Sequence, residues 1–129
     1  MQLTKNFNLY EFRSNIPSRE GYPIVEVPTE LIPNAKKLAN NLQIIRDYIN
    51  QPININSAFR TNDYNKVVGG SENSFHLRCL AADLRTELNS NKLRDIIFKL
   101  MEENKIEKGG LKAYKNFVHY DIRGFYATW

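Results

Sequence analysis

The stretch from Ser74 to Asp83 reads SFHLRCLAAD and holds a histidine and an aspartate seven positions apart, with an apolar run leading into the acid. Zinc accepts imidazole nitrogen and carboxylate oxygen, and catalytic zinc sites use three protein ligands and keep a fourth position for water. The pattern therefore predicts that His76 and Asp83 are two ligands of one metal ion. Because this spacing by itself is permissive, an ordinary solvated face stays open as the alternative.

The stretch from Phe117 to Arg123, FVHYDIR, contains His119, the only other histidine of the chain. Its alternation predicts a strand with Val118, Tyr120 and Ile122 on an inward face and the His-Asp-Arg residues on the other. We expect that other face to line a surface or a cleft. Both histidines would then serve one zinc ion together with Asp83.

Periodicity along the rest of the chain predicts an α+β fold, a small antiparallel sheet with helices packed on one side. Apolar residues at helical spacing predict a helix from Pro28 or Thr29 to residue 49 and another over 91–103. A short helix is expected over 63–68, ended by Gly69-Gly70. Alternation predicts strands over 52–60 and 80–85 and a final hairpin, 111–114 and 117–123, with its tip at Lys115-Asn116. Gly69-Gly70 is predicted to form a loop that carries function.

Residues 1–28 read as an irregular leader packed on the body through Phe7, Leu9 and Phe12. Asn8 and Glu11 have the spacing of a capping box for one short helical turn. Pro17, Gly21, Pro23 and Pro28 disfavour long regular structure in this leader. A length of 129 residues, with neither repeat nor low-complexity linker, predicts a single domain over 1–129.

Composition limits the classes of partner and compartment. No apolar run approaches the roughly 20 residues that span a bilayer, so we expect no membrane insertion. The start lacks a signal-peptide pattern, which predicts synthesis in the cytoplasm and exit by another route. Net charge is +4, with a pI near 9.2. This favours acidic partners, but the scattered basic residues lead us to expect no nucleic-acid partner.

The single cysteine, Cys79, excludes an internal disulfide and a multi-cysteine zinc site. Its apolar neighbours predict a buried small side chain. The alternative is a reactive nucleophile activated by nearby His76.

Ser74-x-His76-x-x-Cys79-x-Ala81-x-Asp83 resembles the SxHxxGxAxD motif of the zinc D-Ala-D-Ala carboxypeptidases, peptidase family M15, whose fold is shared with hedgehog-like metallopeptidases. The resemblance, to the short form of bacteria and phages, covers nearly the whole chain. It also rests on segments outside the motif: Leu3–Phe7, Glu11-Phe12, Ile55–Arg60, Asn65–Gly70, Phe117–Arg123 and Trp129.

The resemblance implies that His76, Asp83 and His119 ligate Zn²⁺ and that Arg60 pairs with a substrate carboxylate. A guanidinium fork suits that task, and an ordinary surface ion pair is the rival reading of Arg60. Ser74 is expected to orient a ligand and contact substrate, with a cap hydroxyl as the alternative. Asp121 is expected to orient a ligand, with a cross-strand partner for Arg123 or Arg85 as the alternative.

Three departures from the family pattern matter. Cys79 replaces the motif glycine, so a turn that usually lacks a side chain must accept one. Phe75 and Leu80 make the rim of the site more apolar. Many members carry a general base shortly before the last ligand, but Asn116, Phe117 and Val118 stand there, which leaves Asp121 as the nearest replacement and Glu72 as a distant one.

The function expected from the resemblance is a zinc peptidase that hydrolyses amide bonds of peptidoglycan stem peptides, as a carboxypeptidase or an endopeptidase of endolysin type. It would reach the wall through a holin-made opening or as a virion component. The alternative is a weakly active or inactive structural or wall-binding module of a phage particle, with virion proteins as partners.

Overall fold

The computed structural model of the protein describes residues 1–15 and 23–129, which form an α+β fold with a four-stranded antiparallel sheet. The strands are β1 (Asn54–Ser57), β2 (Ala81–Arg85), β3 (Leu111–Ala113) and β4 (Val118–Asp121). Their order in the sheet is β1-β2-β4-β3, so the two strands that carry the candidate ligands are neighbours in the centre. The predicted fold class is confirmed.

The helices follow the apolar periodicity of the sequence: α1 (Ile32–Ile49), α2 (Asn62–Val67) and α3 (Ser90–Glu102). The first predicted helix begins as a 3-10 turn, Thr29–Leu31, before α1. Asn89 and Thr61 cap α3 and α2 through their side chains. None of the helices among the described residues is long and apolar enough to cross a membrane.

α1 and α3 pack on one face of the sheet, as predicted, whereas α2 contacts the 3-10 helix Phe75–Arg78. Ala82 and Leu84 of β2 and Val118 and Tyr120 of β4 belong to the buried core, together with residues of α1 and α3: Ala35, Leu38, Ala39, Leu42, Ile45, Leu93, Ile97, Leu100 and Met101. Burial of this apolar surface is the main stabilising term of the fold.

The opposite face of the sheet is not an ordinary solvated face. Asp83 is 6% exposed, His119 9% and Asp121 0%. Polar groups at this depth need hydrogen bonds or a metal, since burying a charge without a partner is costly. The polar side chains on this face therefore form a buried cluster and not a solvated surface.

The leader contacts the body at the point where β1 leads towards the site. The predicted capping box is present, with Asn8 capping the 3-10 helix Leu9–Phe12 and Glu11 returning a hydrogen bond. Phe7 and Phe12 are buried, and the backbone oxygen of Phe12 accepts from the amide of Phe59 at 3.0 Å. Pro17 and Gly21 lie outside the described residues.

Candidate metal centre

The register between β2 and β4 places Asp83 directly opposite His119. Residues directly opposite in an antiparallel pair have side chains on the same face and about 5 Å apart, so the sheet itself brings the two groups together. Asp83 Oδ1 lies 3.4 Å from His119 Nδ1. Asp83 and His119 are 36 positions apart along the chain, but their side chains are neighbours in the fold.

His76 reaches the same point from the 3-10 helix Phe75–Arg78. Ser74 caps this helix, because its Oγ accepts from the backbone amide of His76 at 3.2 Å. His76 Nε2 lies 3.3 Å from Asp83 Oδ1. One ligand atom from each of His76, Asp83 and His119 lies within 4.8 Å of the other two, so the three residues could hold a metal ion.

The tautomer of His76 follows from its environment. Its Nδ1 lies 2.7 Å from the carbonyl oxygen of Ala58, and since a carbonyl only accepts, Nδ1 carries the hydrogen. Nε2 is then left with a lone pair, and it is buried without a hydrogen-bond partner among the described residues. An unsatisfied buried polar atom costs about 1–3 kcal/mol, which a metal ion at this position would remove. The donor set and this unpartnered nitrogen fit zinc.

His119 shows the complementary arrangement. Its Nε2 lies 2.8 Å from Asp121 Oδ2, so Nε2 donates to the carboxylate and Nδ1 faces Asp83. Burial lowers the pKa of His76, which favours the neutral form that metals bind. Burial acts in the same direction on His119, but the carboxylates of Asp121 and Asp83 outweigh it and raise the pKa of that imidazole.

Asp121 is fully buried, and both of its oxygens are occupied. Oδ1 accepts from the amide of Gly110 at 2.8 Å and from Arg123 Nε at 2.9 Å, and Oδ2 accepts from His119 and from Arg123 Nη2 at 2.7 Å. Burial opposes ionisation, yet these donors hold the pKa of Asp121 well below its usual range. The geometry agrees with the expected ligand-orienting role. It argues against Asp121 as general base, because the carboxylate has no surface open to water in the cleft.

Arg60 pairs with Asp83 inside the protein. Its Nη2 lies 2.9 Å from Asp83 Oδ2, which leaves Oδ1 directed at the two histidines. Nε donates to Ser57 Oγ at 3.0 Å and Nη1 to Asn65 Oδ1 at 3.3 Å. Although burial opposes ionisation, protons on the two imidazoles and the Arg60 cation hold the pKa of Asp83 well below its usual range when no metal ion takes the place of those protons. The rival reading of Arg60 as an ion-pair partner is realised, but as a buried pair beneath the site.

A cleft opens over the three candidate ligands, and Arg60 and Ser74 also line it. One wall is the predicted glycine loop, with Gly69 and Gly70 followed by polar residues up to Ser74. The other wall is aromatic, formed by Phe75, Tyr114, Phe117 and Trp129. Phe75 makes the rim apolar as predicted, whereas Leu80 packs against the core instead.

The aromatic wall is internally ordered. The rings of Tyr114 and Phe117 stack with centroids 4.6 Å apart. Trp129 donates from Nε1 to the hydroxyl of Tyr114 at 3.1 Å, and its ring meets the His119 imidazole edge-on with centroids 5.0 Å apart. An aromatic ring therefore packs against a candidate ligand, and His119 is only 9% exposed.

Sequence reasoning missed two supports of the site, Gly110 and Asn65, whereas the pairing of Asp121 with Arg123 was among its alternatives. A Cβ on Gly110 would lie 2.2 Å from Asp121 Oδ2, so this glycine is required by the carboxylate beside it. Asn65 is buried, accepts from Arg60 and donates to the carbonyl of Ser71 at 2.8 Å. The consecutive glycines at 109 and 110 are the sequence signal for this close approach of the backbone to Asp121.

Cys79 ends the 3-10 helix that carries His76, with φ 57°. This left-handed conformation explains why a glycine suits the position, because other residues adopt it at a cost of about 1–2 kcal/mol. The thiol is fully buried, as predicted, and burial raises its pKa to about 12. The thiol is therefore protonated at neutral pH, which argues against the nucleophile alternative.

No curated protein matches the chain at a significant level. A family model described as Peptidase M15 matches residues 6–121. The match spans most of the leader, both halves of the candidate metal site and every strand of the sheet. The chain therefore belongs to the Peptidase M15 family, a family of peptidases.

Proposed function

We propose that the protein is a zinc-dependent peptidase that hydrolyses amide bonds of peptidoglycan stem peptides. The observation that carries the proposal is the buried Nε2 of His76, which has no hydrogen-bond partner among the described residues and faces Asp83 Oδ1 at 3.3 Å next to a second histidine. Membership of the Peptidase M15 family supports the reaction class.

His76, Asp83 and His119 would hold the zinc ion. Bound zinc supplies a Lewis acid that polarises a carbonyl and lowers the pKa of a water molecule. Ala58 and Asp121 fix the two imidazoles with the correct nitrogen directed inward, while Arg60 keeps the Asp83 carboxylate ionised and turned towards them. Such outer hydrogen bonds set the orientation and basicity of metal ligands.

The choice of a wall peptide as substrate is supported by charge. Two arginines, Arg60 and Arg123, line the cleft, and the chain carries a net charge of +4. Stem peptides present carboxylates, and the wall polymers that carry them are anionic. We further propose that the protein reaches the wall through a holin-made opening or as part of a phage particle.

A second candidate is a wall-binding module with weak or no hydrolysis, and one observation favours it. Among the described residues that line the cleft, Asp83 is the only carboxylate, and it belongs to the candidate ligand set. Asp121 is sealed, and Asn116 and Phe117 precede the last histidine where a base would stand. Apart from the candidate ligand Asp83, the part of the cleft lining that the structure describes thus offers no carboxylate to accept a proton from water.

Digestion of purified peptidoglycan separates the two candidates. The zinc-loaded native chain is expected to release D-alanine or muropeptide fragments, while His76→Ala is expected to release none. Asp95→Asn is a matched control, because its side chain is 70% exposed on the surface of α3. Equal release by native chain and His76→Ala would overturn the peptidase proposal. Wall binding without release by either would support the binding module.

A further inference from the structure

The two arginines that line the cleft differ in how many of their donors the protein uses. All three guanidinium nitrogens of Arg60 donate to side chains, namely Ser57, Asn65 and Asp83. Its side chain is 13% exposed. Arg60 is therefore built into the support of Asp83, and its charge is balanced by that carboxylate.

Arg123 uses only one edge of its guanidinium inside the protein. Nε and Nη2 donate to the two oxygens of Asp121 at 2.9 and 2.7 Å. Within residues 1–15 and 23–129, Nη1 has no hydrogen-bond or ion-pair partner, and the side chain is 18% exposed. A guanidinium has five N–H donors, so the Nη1 edge keeps donors for a ligand.

Aromatic rings surround the guanidinium of Arg123. Its central carbon lies 4.6 Å from the centroid of the Phe75 ring, 5.6 Å from Trp129 and 5.9 Å from Phe125. These contacts hold a cation by attraction to the ring faces. Because Asp121 fixes one edge and the rings cover the plane, the guanidinium is held in place before any ligand arrives, which lowers the entropic cost of binding.

Arg123 is also close to the candidate metal ligands. Asp121 Oδ2 accepts from both Arg123 Nη2 and His119 Nε2, so one carboxylate oxygen separates the guanidinium from a ligand ring. Arg123 and the three candidate ligands line the same cleft, so a group bound at Nη1 would lie in the cleft that the proposed function assigns to the peptide.

We propose that Arg123, rather than Arg60, binds a carboxylate of the substrate next to the scissile bond. The inference rests on the proposed function and narrows it to peptides that carry a free carboxylate on the leaving residue. A guanidinium fork matches a carboxylate with two parallel hydrogen bonds, which an amide cannot accept in the same way.

Calorimetric binding of acetyl-D-Ala-D-Ala and of its C-terminal amide tests this assignment without turnover, using protein freed of metal by a chelator. The native chain is expected to bind the acid at least about tenfold more tightly than the amide, since hydrogen bonds to charged groups contribute about 1.5–3 kcal/mol. Arg123→Met is expected to abolish the preference and Arg123→Lys to retain part of it.

Arg78→Met is the matched control, because Arg78 is exposed and its guanidinium lies 4.7 Å from the same Phe75 ring without lining the cleft. The ratio of acid to amide affinity within one variant does not change if the variant simply binds both peptides more weakly. Arg123→Lys provides the measurement if Arg123→Met does not fold. The assignment would be overturned if the native chain bound acid and amide equally, or if the ratio of acid to amide affinity were unchanged in both Arg123 variants. It would also be overturned if that ratio fell to one in Arg60→Lys instead.

The outcome is separable from the test of the proposed function. A native chain that digests wall but binds acid and amide equally refutes only the role of Arg123. A native chain that prefers the acid through Arg123 but releases nothing from wall supports that role and refutes only the hydrolysis.

Discussion

His119 and Asp121 lie two positions apart on one face of β4, and the imidazole Nε2 donates to the carboxylate Oδ2 at 2.8 Å. Histidines that bind metals usually donate their second nitrogen to a carboxylate or carbonyl in this way. The pair therefore fixes which nitrogen of His119 faces Asp83.

Asp121→Asn is expected to weaken zinc binding by about 10–100-fold, because removal of the negative charge lowers the basicity of His119 and frees its ring. Competition with a fluorescent chelator measures the affinity, and circular dichroism checks the fold. Asp95→Asn, at an exposed ion pair on α3, is expected to bind zinc like the native chain. Native affinity in Asp121→Asn would contradict the orienting role.

Arg60→Met is expected to lower the free energy of unfolding by about 3 kcal/mol, because it leaves the buried Asp83 carboxylate without its cation. Urea unfolding of protein without metal measures the loss. Arg94→Met provides the comparison, since the Arg94–Asp95 pair is exposed and such pairs contribute about 0–1 kcal/mol. Similar losses in the two variants would show that Arg60 does not support Asp83.

Gly110→Ala is expected to weaken zinc binding and to lower stability by about 1–3 kcal/mol, since a Cβ there would lie 2.2 Å from Asp121 Oδ2 and 2.6 Å from Arg123 Nη2. Gly69→Ala is the control, because its Cβ meets nothing within 4 Å. Because residue 69 has a φ of +73°, Gly69→Ala is expected to lose stability through backbone strain while keeping its zinc affinity. Equal zinc affinities in both variants would refute the steric account.

The part of the fold that depends on local pattern was predictable. The apolar stripes of α1 and α3 and the alternation of β2 and β4 were read from neighbouring residues, and the structure confirms these elements. The meeting of His76, Asp83 and His119 was proposed from the motifs, and the register of β2 with β4 gives its physical reason.

The supports of the site were not predictable from local pattern. The Arg60–Asp83 pair joins residues 23 positions apart, and the amide of Gly110 reaches Asp121 from the other strand of a hairpin. The alternation of apolar and polar residues along β4 predicted the correct face for Asp121. It could not show whether the carboxylate is exposed to solvent or buried. Burial depends on what covers a face, and here distant segments, including Trp129, form the cover.

Cys79 gives a pH-dependent test. Burial raises the pKa of the folded thiol to about 12, whereas an unfolded thiol ionises near about 8.5. Below about pH 8.5 the thiol is protonated in both the folded and the unfolded chain, so its contribution to the free energy of unfolding does not change with pH. Above about pH 8.5 the unfolded chain loses a proton that the folded chain keeps, and the free energy of unfolding falls by up to about 1.4 kcal/mol per pH unit. Urea unfolding between pH 7.5 and 10.5 should therefore show a shallower decline for Cys79→Ala than for the native chain. Parallel declines would mean that the thiol is not sealed.

The most direct test of the central claim is a zinc titration of chelator-treated protein by calorimetry, with metal content checked by mass spectrometry. The native chain is expected to bind one zinc ion per molecule, and His76→Ala, Asp83→Ala and His119→Ala, shown by circular dichroism to be folded, are each expected to lose that site. A native chain that binds no zinc, or folded variants that bind it as tightly as the native chain, would contradict the assignment of these three side chains to one metal ion.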